Sequence, residues 1–246
     1  MNITFFNGVS GLVAYQKDMD VLSHNMANVN TVGFKGSRSS FEELLYTEMD
    51  TNGEPKHMTG HGVRVSSVDV LHGQGQIMAT NNPLDFAIEG DGFFAVEREG
   101  RVEYTRSGAF RISADGNKGY LVTTDGAFVL DSKGKEIKLE KMDDSESYDL
   151  SEVMEEIGVY VFPNPYGLEP VDGSSFLEND ISGEPETYDY DDDDKPYELR
   201  QCALESSNVN LGDQMVDLIV TQRAYQMNAK MVQTGDEIEE IINNLR

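Results

Sequence analysis

Four histidines, 45 carboxylates and one cysteine are the side chains through which this sequence could do chemistry. His24, His57, His61 and His72 show neither an HExxH pattern nor another paired-ligand spacing. His57 and His61 stand four apart, an interval that would put two imidazoles on one helix face. Pro55, Gly60 and Gly62 argue against a helix there. The sequence has no Walker loop and no GxSxG elbow, and Gly73-Gln74-Gly75 lacks the helix that a phosphate cradle requires. Asp189-Tyr190-Asp191-Asp192-Asp193-Asp194-Lys195 gathers oxygen ligands of the kind calcium takes, but without the alternation and terminal Glu of an EF-hand. A solvated, self-repelling loop is the simpler reading. Nothing singles out one carboxylate pair for acid–base work. No catalytic residue, metal or cofactor is expected. Cys202, the single cysteine, excludes an internal disulfide and reads as a buried, inert thiol.

The formal net charge is −26. Such a chain repels phosphate backbones and anionic head groups, so nucleic acid and membrane surfaces are poor partners. The acidity is regional: Glu140 to Arg200 holds 20 Asp and Glu against three Lys and Arg. No apolar run approaches the roughly 18 residues of a membrane span, so no membrane insertion is expected. Met1 to Ser10 shows no basic n-region, apolar h-region or small-residue cleavage site, so no cleavable secretory signal is expected.

The two ends of the chain carry the same periodicity. Leu12, Tyr15, Met19, Leu22, Met26 and Val29 recur at intervals of 3, 4, 3, 4 and 3. Leu211, Met215, Leu218, Gln222, Tyr225, Ala229 and Val232 recur at 4, 3, 4, 3, 4 and 3. That narrow seam fits helices supercoiled around a partner better than an ordinary bundle. Helices over 5–29 and 208–243 would span about 37 and 54 Å at roughly 1.5 Å per residue. Ser207 or Asn208 is the expected N-cap of the second. Helices at opposite ends can pair only if the middle is an insertion. That middle changes period. Val63 to Val70, Phe86 to Ile88, Phe93 to Val96, Val102 to Thr105, Ala109 to Ile112, Tyr120 to Thr123 and Phe128 to Leu130 are short strand candidates. Asp91-Gly92, Asp115-Gly116 and Asp125-Gly126 punctuate them. Later runs at Ile157 to Phe162, Ser175 to Leu177 and Leu199 to Leu204 can add strands. Residues 36–60 read as an extended or partly helical connector, with Phe41 to Leu45 as a short amphipathic turn. The expected fold class is α+β: long N- and C-terminal helices paired as a coiled-coil-like module, with an inserted antiparallel β-rich domain. The divisions are 1–35 with 205–246 as helical module, 36–60 as connector and 61–204 as β-rich outer domain with acidic loops.

Five stretches, in three parts of the chain, resemble one family. His24-Asn25-Met26-Ala27-Asn28-Val29-Asn30-Thr31-Val32-Gly33-Phe34-Lys35 is similar to the N-terminal signature of the flagellar rod and hook proteins. Leu204 to Asn210 and Ile219 to Gln226, the latter containing Gln222-Arg223-Ala224-Tyr225, resemble its C-terminal segments. Asn82 to Phe94 and Tyr104 to Phe110 resemble the first β-domain strands of the rod proteins. The matches fall in order and reach both termini. His24 stands where the family usually has Asn, and the acidic Tyr188 to Asp194 segment is unusually long. The β insertion is short for a hook protein, which points to the rod, and nearest to its distal branch.

The resemblance implies a structural subunit that self-assembles into a helical tube, transmits torque and conducts exported subunits. It implies partners in copies of itself, in neighbouring rod or hook subunits and in the flagellar type III export apparatus, and a place in the basal body. Leu12, Met19, Leu22, Met26, Leu211, Met215, Leu218, Gln222, Arg223 and Tyr225 would pack subunits. Asn208 and Asn210 would pack subunits too, and Asn25, Asn28 and Asn30 would either meet neighbours or cap their own helix. Gly33, Phe34 and Lys35 would form the exit turn of the first helix, with Gly33 at positive φ and Phe34 buried. Phe5 and Val9 fit the Phe-x-x-x-apolar pattern of early export substrates. An acidic, calcium-dependent surface or matrix adhesin and a peptidoglycan hydrolase are the competing classes. Neither accounts for the paired terminal motifs.

Overall fold

The structure, a computed structural model, describes residues 3–49, 57–115, 118–140, 153–171, 174–188 and 195–245. The proline-free N-terminal run forms α1 (Ile3–Ala27). After it come β1 (Ser37–Glu43), β2 (Thr47–Met49), β3 (His57–Thr59) and β4 (Val63–Val70). Next are β5 (Ile77–Ala79), β6 (Phe86–Gly90), β7 (Phe93–Arg98), β8 (Arg101–Thr105), β9 (Phe110–Asp115) and β10 (Lys118–Thr123). β11 (Phe128–Val129), β12 (Lys138–Glu140), the single turn α2 (Val153–Glu156), β13 (Val159–Val161), β14 (Glu169–Pro170) and β15 (Ser175–Leu177) follow. β16 (Glu186–Thr187), β17 (Tyr197–Gln201) and β18 (Ala203–Glu205) lead to α3 (Leu211–Asn244). The chain is thus α+β, with a helix at each end and an antiparallel β-rich middle.

Contacts divide the chain into two units. One holds Met1–Ala27, Ser37–Leu71 and Val209–Arg246; the other holds Asn28–Gly36 and His72–Asn208. In the first unit, β1 pairs antiparallel with β4 from Ser37 opposite Val70 to Glu43 opposite Val63, with a bulge between Ser40 and Phe41. β2 pairs with β3, Thr47 opposite Thr59. Residues 37–43, expected within a connector with an amphipathic turn, are therefore strand. Their Ser-Arg-Ser-Ser-Phe-Glu-Glu sequence lacks the alternation of a half-buried strand because neither face is fully buried. α1 lies against α3, β1 and β4. The Tyr15 and Phe41 rings meet at 5.5 Å, and Asn7 donates to the Gly60 carbonyl at 3.1 Å.

The second unit owes its core to the strands that the β-branched and aromatic runs predicted. β7 lies between β8 and β11, with β13 also pairing to it; β10 pairs with β9, β11 and β12. Phe86, Ile88, Phe94, Val96, Phe110, Leu121 and Val129 pack in one cluster, with the Phe94 and Phe110 rings edge to face at 5.2 Å. Burying a side chain of this size contributes up to about 1.5–3 kcal/mol, so each member of this cluster stabilises the unit appreciably. β17 pairs with β6 and β18 with β5, which brings the end of the unit back to its beginning. Cys202, at the kink between β17 and β18, is a free thiol and half-buried, not sealed away as expected. Residues 189–194, the acidic run weighed for calcium, lie outside the described residues.

Candidate assembly surfaces

Within the helical unit, four contacts align α1 and α3. A Cβ on Gly8 would meet Val232 Cγ2 at 2.8 Å, and one on Gly11 would meet the Asn228 amide at 2.9 Å. Thr221 donates to Asp18 at 2.7 Å, and Asn25 donates to Gln214 at 3.0 Å. As the α1 numbers rise the α3 numbers fall, so the helices are antiparallel. Residues 11, 18 and 25 meet 228, 221 and 214, seven residues apart on both helices.

Asp18 and Asn25 also reach β1. Ser39 donates to Asp18, Ser37 N–H donates to Asn25 Oδ1 at 2.8 Å, and Asn25 Nδ2 donates back to the Ser37 carbonyl at 2.7 Å. Each residue ties three elements together. Each neutral bond adds roughly 0.5–1.5 kcal/mol net, but leaving one of these groups unpaired when buried costs more.

The seam expected from the apolar residues is only partly the one used. Leu22 is buried, and Leu12, Met19, Met26, Leu218, Tyr225 and Val232 are half-buried, whereas Leu211, Met215 and Gln222 face out. The α1-facing positions of α3 include Gln214, Leu218, Thr221, Tyr225, Asn228, Val232 and Gly235, all buried or half-buried. They repeat at 4, 3, 4, 3, 4 and 3, turned from the expected stripe. Glycine and small polar residues admit the close approach, and an apolar count, which shares Leu218, Tyr225 and Val232 with this face, does not register them. Asn25 is 2% exposed, and its amide is committed within its own chain.

The exit of α1 is built as the motif suggested. Gly33 has φ +69°, and a Cβ there would lie 2.5 Å from Ser107 N. Phe34 is 7% exposed. Asn28 accepts from Thr31 through both its carbonyl and its side chain, which closes the turn, and Asn30 is exposed. Lys35 is buried against Glu205 at 2.7 Å, and Arg106 reaches the same carboxylate at 3.4 Å. Burial holds both cations below their ordinary pKa values, and the Glu205 charge partly offsets this. Glu205 and Arg106 were missed in the sequence, although both lie inside the matched motifs. Asn208 accepts from Gly36 N–H and donates to the Gly73 carbonyl. That commitment explains why Asn210, and neither Ser207 nor Asn208, caps α3 by accepting from Gly212 N–H at 2.9 Å. Arg223 is exposed beside Gln226 at 3.2 Å. Phe5 is half-buried and Val9 exposed on α1.

Comparison with known proteins bears on these same segments. Residues 6–35 match a model described as flagella basal body rod protein, 87–154 the flagellar hook protein FlgE/F/G D1 domain, and 200–245 the flagellar basal body rod FlgEFG protein C-terminal. Flagellar basal-body rod protein FlgG of Borreliella burgdorferi is 35% identical over 98% of this chain and 97% of its own. The proteins of that name from Agrobacterium fabrum and Bacillus subtilis are 34% and 31% identical, over 95% and 99% of this chain and 95% and 98% of theirs. The chain belongs to the flagellar basal-body rod and hook protein family. Both rod-family terminal matches contain the helices that pair here, and the junction of Lys35 with Glu205 joins the N-terminal match to the C-terminal one. The adhesin alternative draws no support from these relatives.

Proposed function

We propose that this protein is a structural subunit of the flagellar rod, and that its terminal helices build the tube by packing against those of neighbouring copies and of adjoining rod or hook subunits. The observation that carries the proposal is a second stripe on α3. Val220, Met227, Met231, Ile238, Ile241 and Leu245 are all largely exposed. They recur at 7, 4, 7, 3 and 4, sums of the three- and four-residue steps that a helical partner reads. The stripe lies roughly a third of the helix circumference from the α1-facing one, at 3.6 residues per turn. α1 adds exposed Phe6, Val9 and Val13. Covering each large side chain fully yields about 1.5–3 kcal/mol. A head-to-tail polymer needs two different complementary surfaces, and two terminal helices supply them. Supercoiling of α1 with α3 belongs to this proposal, supported by the seven-residue ladder between them.

The residues offered for subunit packing are Leu12, Met19, Leu211, Met215, Gln222 and Arg223, joined by the α3 stripe, while Leu218 and Tyr225 serve the contact with α1. In the polymer the β-rich middle would lie outside, and the tube would carry torque and conduct exported subunits. Delivery through the type III export apparatus, with Phe5 and Val9 in the recognised segment, completes the reading.

Deleting the encoding gene and imaging basal bodies, with a swimming assay, tests it. Rods should be truncated or missing. The intact gene should restore them, while genes carrying Ile238→Asp with Val220→Asp, or lacking residues 211–246, should not. Normal rods and swimming in the deletion strain, or full rescue by the Asp variant, would contradict the proposal.

A further inference from the structure

One carboxylate holds together two segments that are 170 residues apart. Glu205 Oε1 accepts from Lys35 Nζ and from Gly75 N–H, both at 2.7 Å, and Oε2 lies 3.4 Å from Arg106 Nη1. Its backbone carbonyl accepts from Gly33 N–H at 2.9 Å. The next residues continue the join: Ser206 N–H donates to the Gln76 carbonyl, and Asn208 N–H to the Phe34 carbonyl.

The charge balance decides what this cluster can do. Lys35 and Arg106 are each 4% exposed, and Glu205 is 1% exposed. Asp91 also attracts Arg106 but is itself exposed. Two buried cations therefore share one buried anion. Lys35 also donates to the Gly73 carbonyl at 2.9 Å and Arg106 to the Gly90 carbonyl at 2.8 Å, but these acceptors are neutral; without Glu205 the two cations would keep no buried counter-charge and would repel each other in a poorly solvated site. The three side chains lie outside the apolar cluster around Phe94 and Phe110, which Arg106 touches only at its edge, through the Ile88 and Gly90 carbonyls.

We propose that Glu205 is a latch: its negative charge lets residues 33–36, which leave the N-terminal helix, and residues 205–208, which lead into the C-terminal helix, close together, and its loss opens both at once. The leads of the two helices are then joined or free as one unit, while the strand core stays shut. The inference goes beyond the rod-subunit reading and is tested on unassembled chain, so its failure would leave polymerisation untouched.

Residue-resolved hydrogen exchange on the full chain decides it, with wild type, Glu205→Gln, Lys35→Met and the double variant. In wild type the amides of Gly33, Gly36, Gly75, Ser206 and Asn208 should open as one group, sooner than those of Leu121 and Leu130 in the strand core. Glu205→Gln should speed that group at least tenfold and leave Leu121 and Leu130 within about twofold. Adding Lys35→Met removes one stranded cation and should recover at least threefold of the protection. Independent opening of the five amides, no effect of Glu205→Gln, equal loss in the core, or a double variant no slower than Glu205→Gln would overturn the latch. Should Glu205→Gln alone fail to fold, folding of the double variant is the expected result, and its failure the contrary one.

Discussion

His72 sits among the rings of Phe93, Tyr166 and Phe176, with centroids 5.9, 5.3 and 5.4 Å away, and its Nδ1 has no hydrogen-bond partner among the described residues. Burial first, then the nearby charges of Lys35 and Arg106, lower its pKa from 6.5 to about 4. Above about pH 6.5 the ring is neutral in folded and unfolded chains alike. Between 6.5 and 4 the unfolded chain takes up the proton and the folded chain does not, so stability falls as the pH falls through this window and levels off below it. The carboxylates titrate over part of the same range, so the comparison must be with His72→Phe, which keeps the ring and loses the proton site. The urea midpoint of wild type, relative to His72→Phe, should drop from pH 7 to pH 4. Parallel curves would show that the ring is not held neutral.

At the scale of elements, the pairing of α1 with α3 rests on close approach. Val232 is β-branched, and its restricted χ1 in a helix gives little room to withdraw from a Cβ at Gly8. Gly to Ala in a helix interior ordinarily gains about 0.8–1 kcal/mol. Here Gly8→Ala should lose stability with Val232 present and gain it in a Val232→Ala background, as read by thermal unfolding. The same gain in both backgrounds would mean that the helices do not close at Gly8.

Both helices announced themselves through their three- and four-residue period, and the strands carrying Phe86, Phe94, Val96 and Leu121 through β-branched and aromatic runs between turn residues, which β6 and β7 bury on both faces. The α1–α3 register did not, because Gly11, Asp18 and Asn25 make it with small and polar groups. Strands 37–43 and 63–70 pair with much of both faces in water, so the first of them left no alternating signature. The positive φ of Gly33 and the burial of Phe34 were readable from the motif. The ion pair of Lys35 with Glu205 was not, since no local rule links residues so far apart in sequence.

The whole molecule sets a balance that a polymer must satisfy. Each copy brings a formal charge of −26, so neighbours repel unless the contact surfaces are apolar or the acidic parts are kept apart. At physiological ionic strength charges more than about 8 Å apart are largely screened, which favours contacts through helices over contacts through the acidic 140–200 region. α3 meets that requirement along Val220 to Leu245, although its last turns carry exposed Glu237, Glu239 and Glu240. The most direct measurement is electron cryomicroscopy of purified basal bodies at a resolution that shows side chains. Val220, Met227, Met231, Ile238 and Ile241 should lie within about 4 Å of helices from neighbouring subunits. Finding that stripe open to solvent, or covered only by its own chain, would contradict the proposed packing.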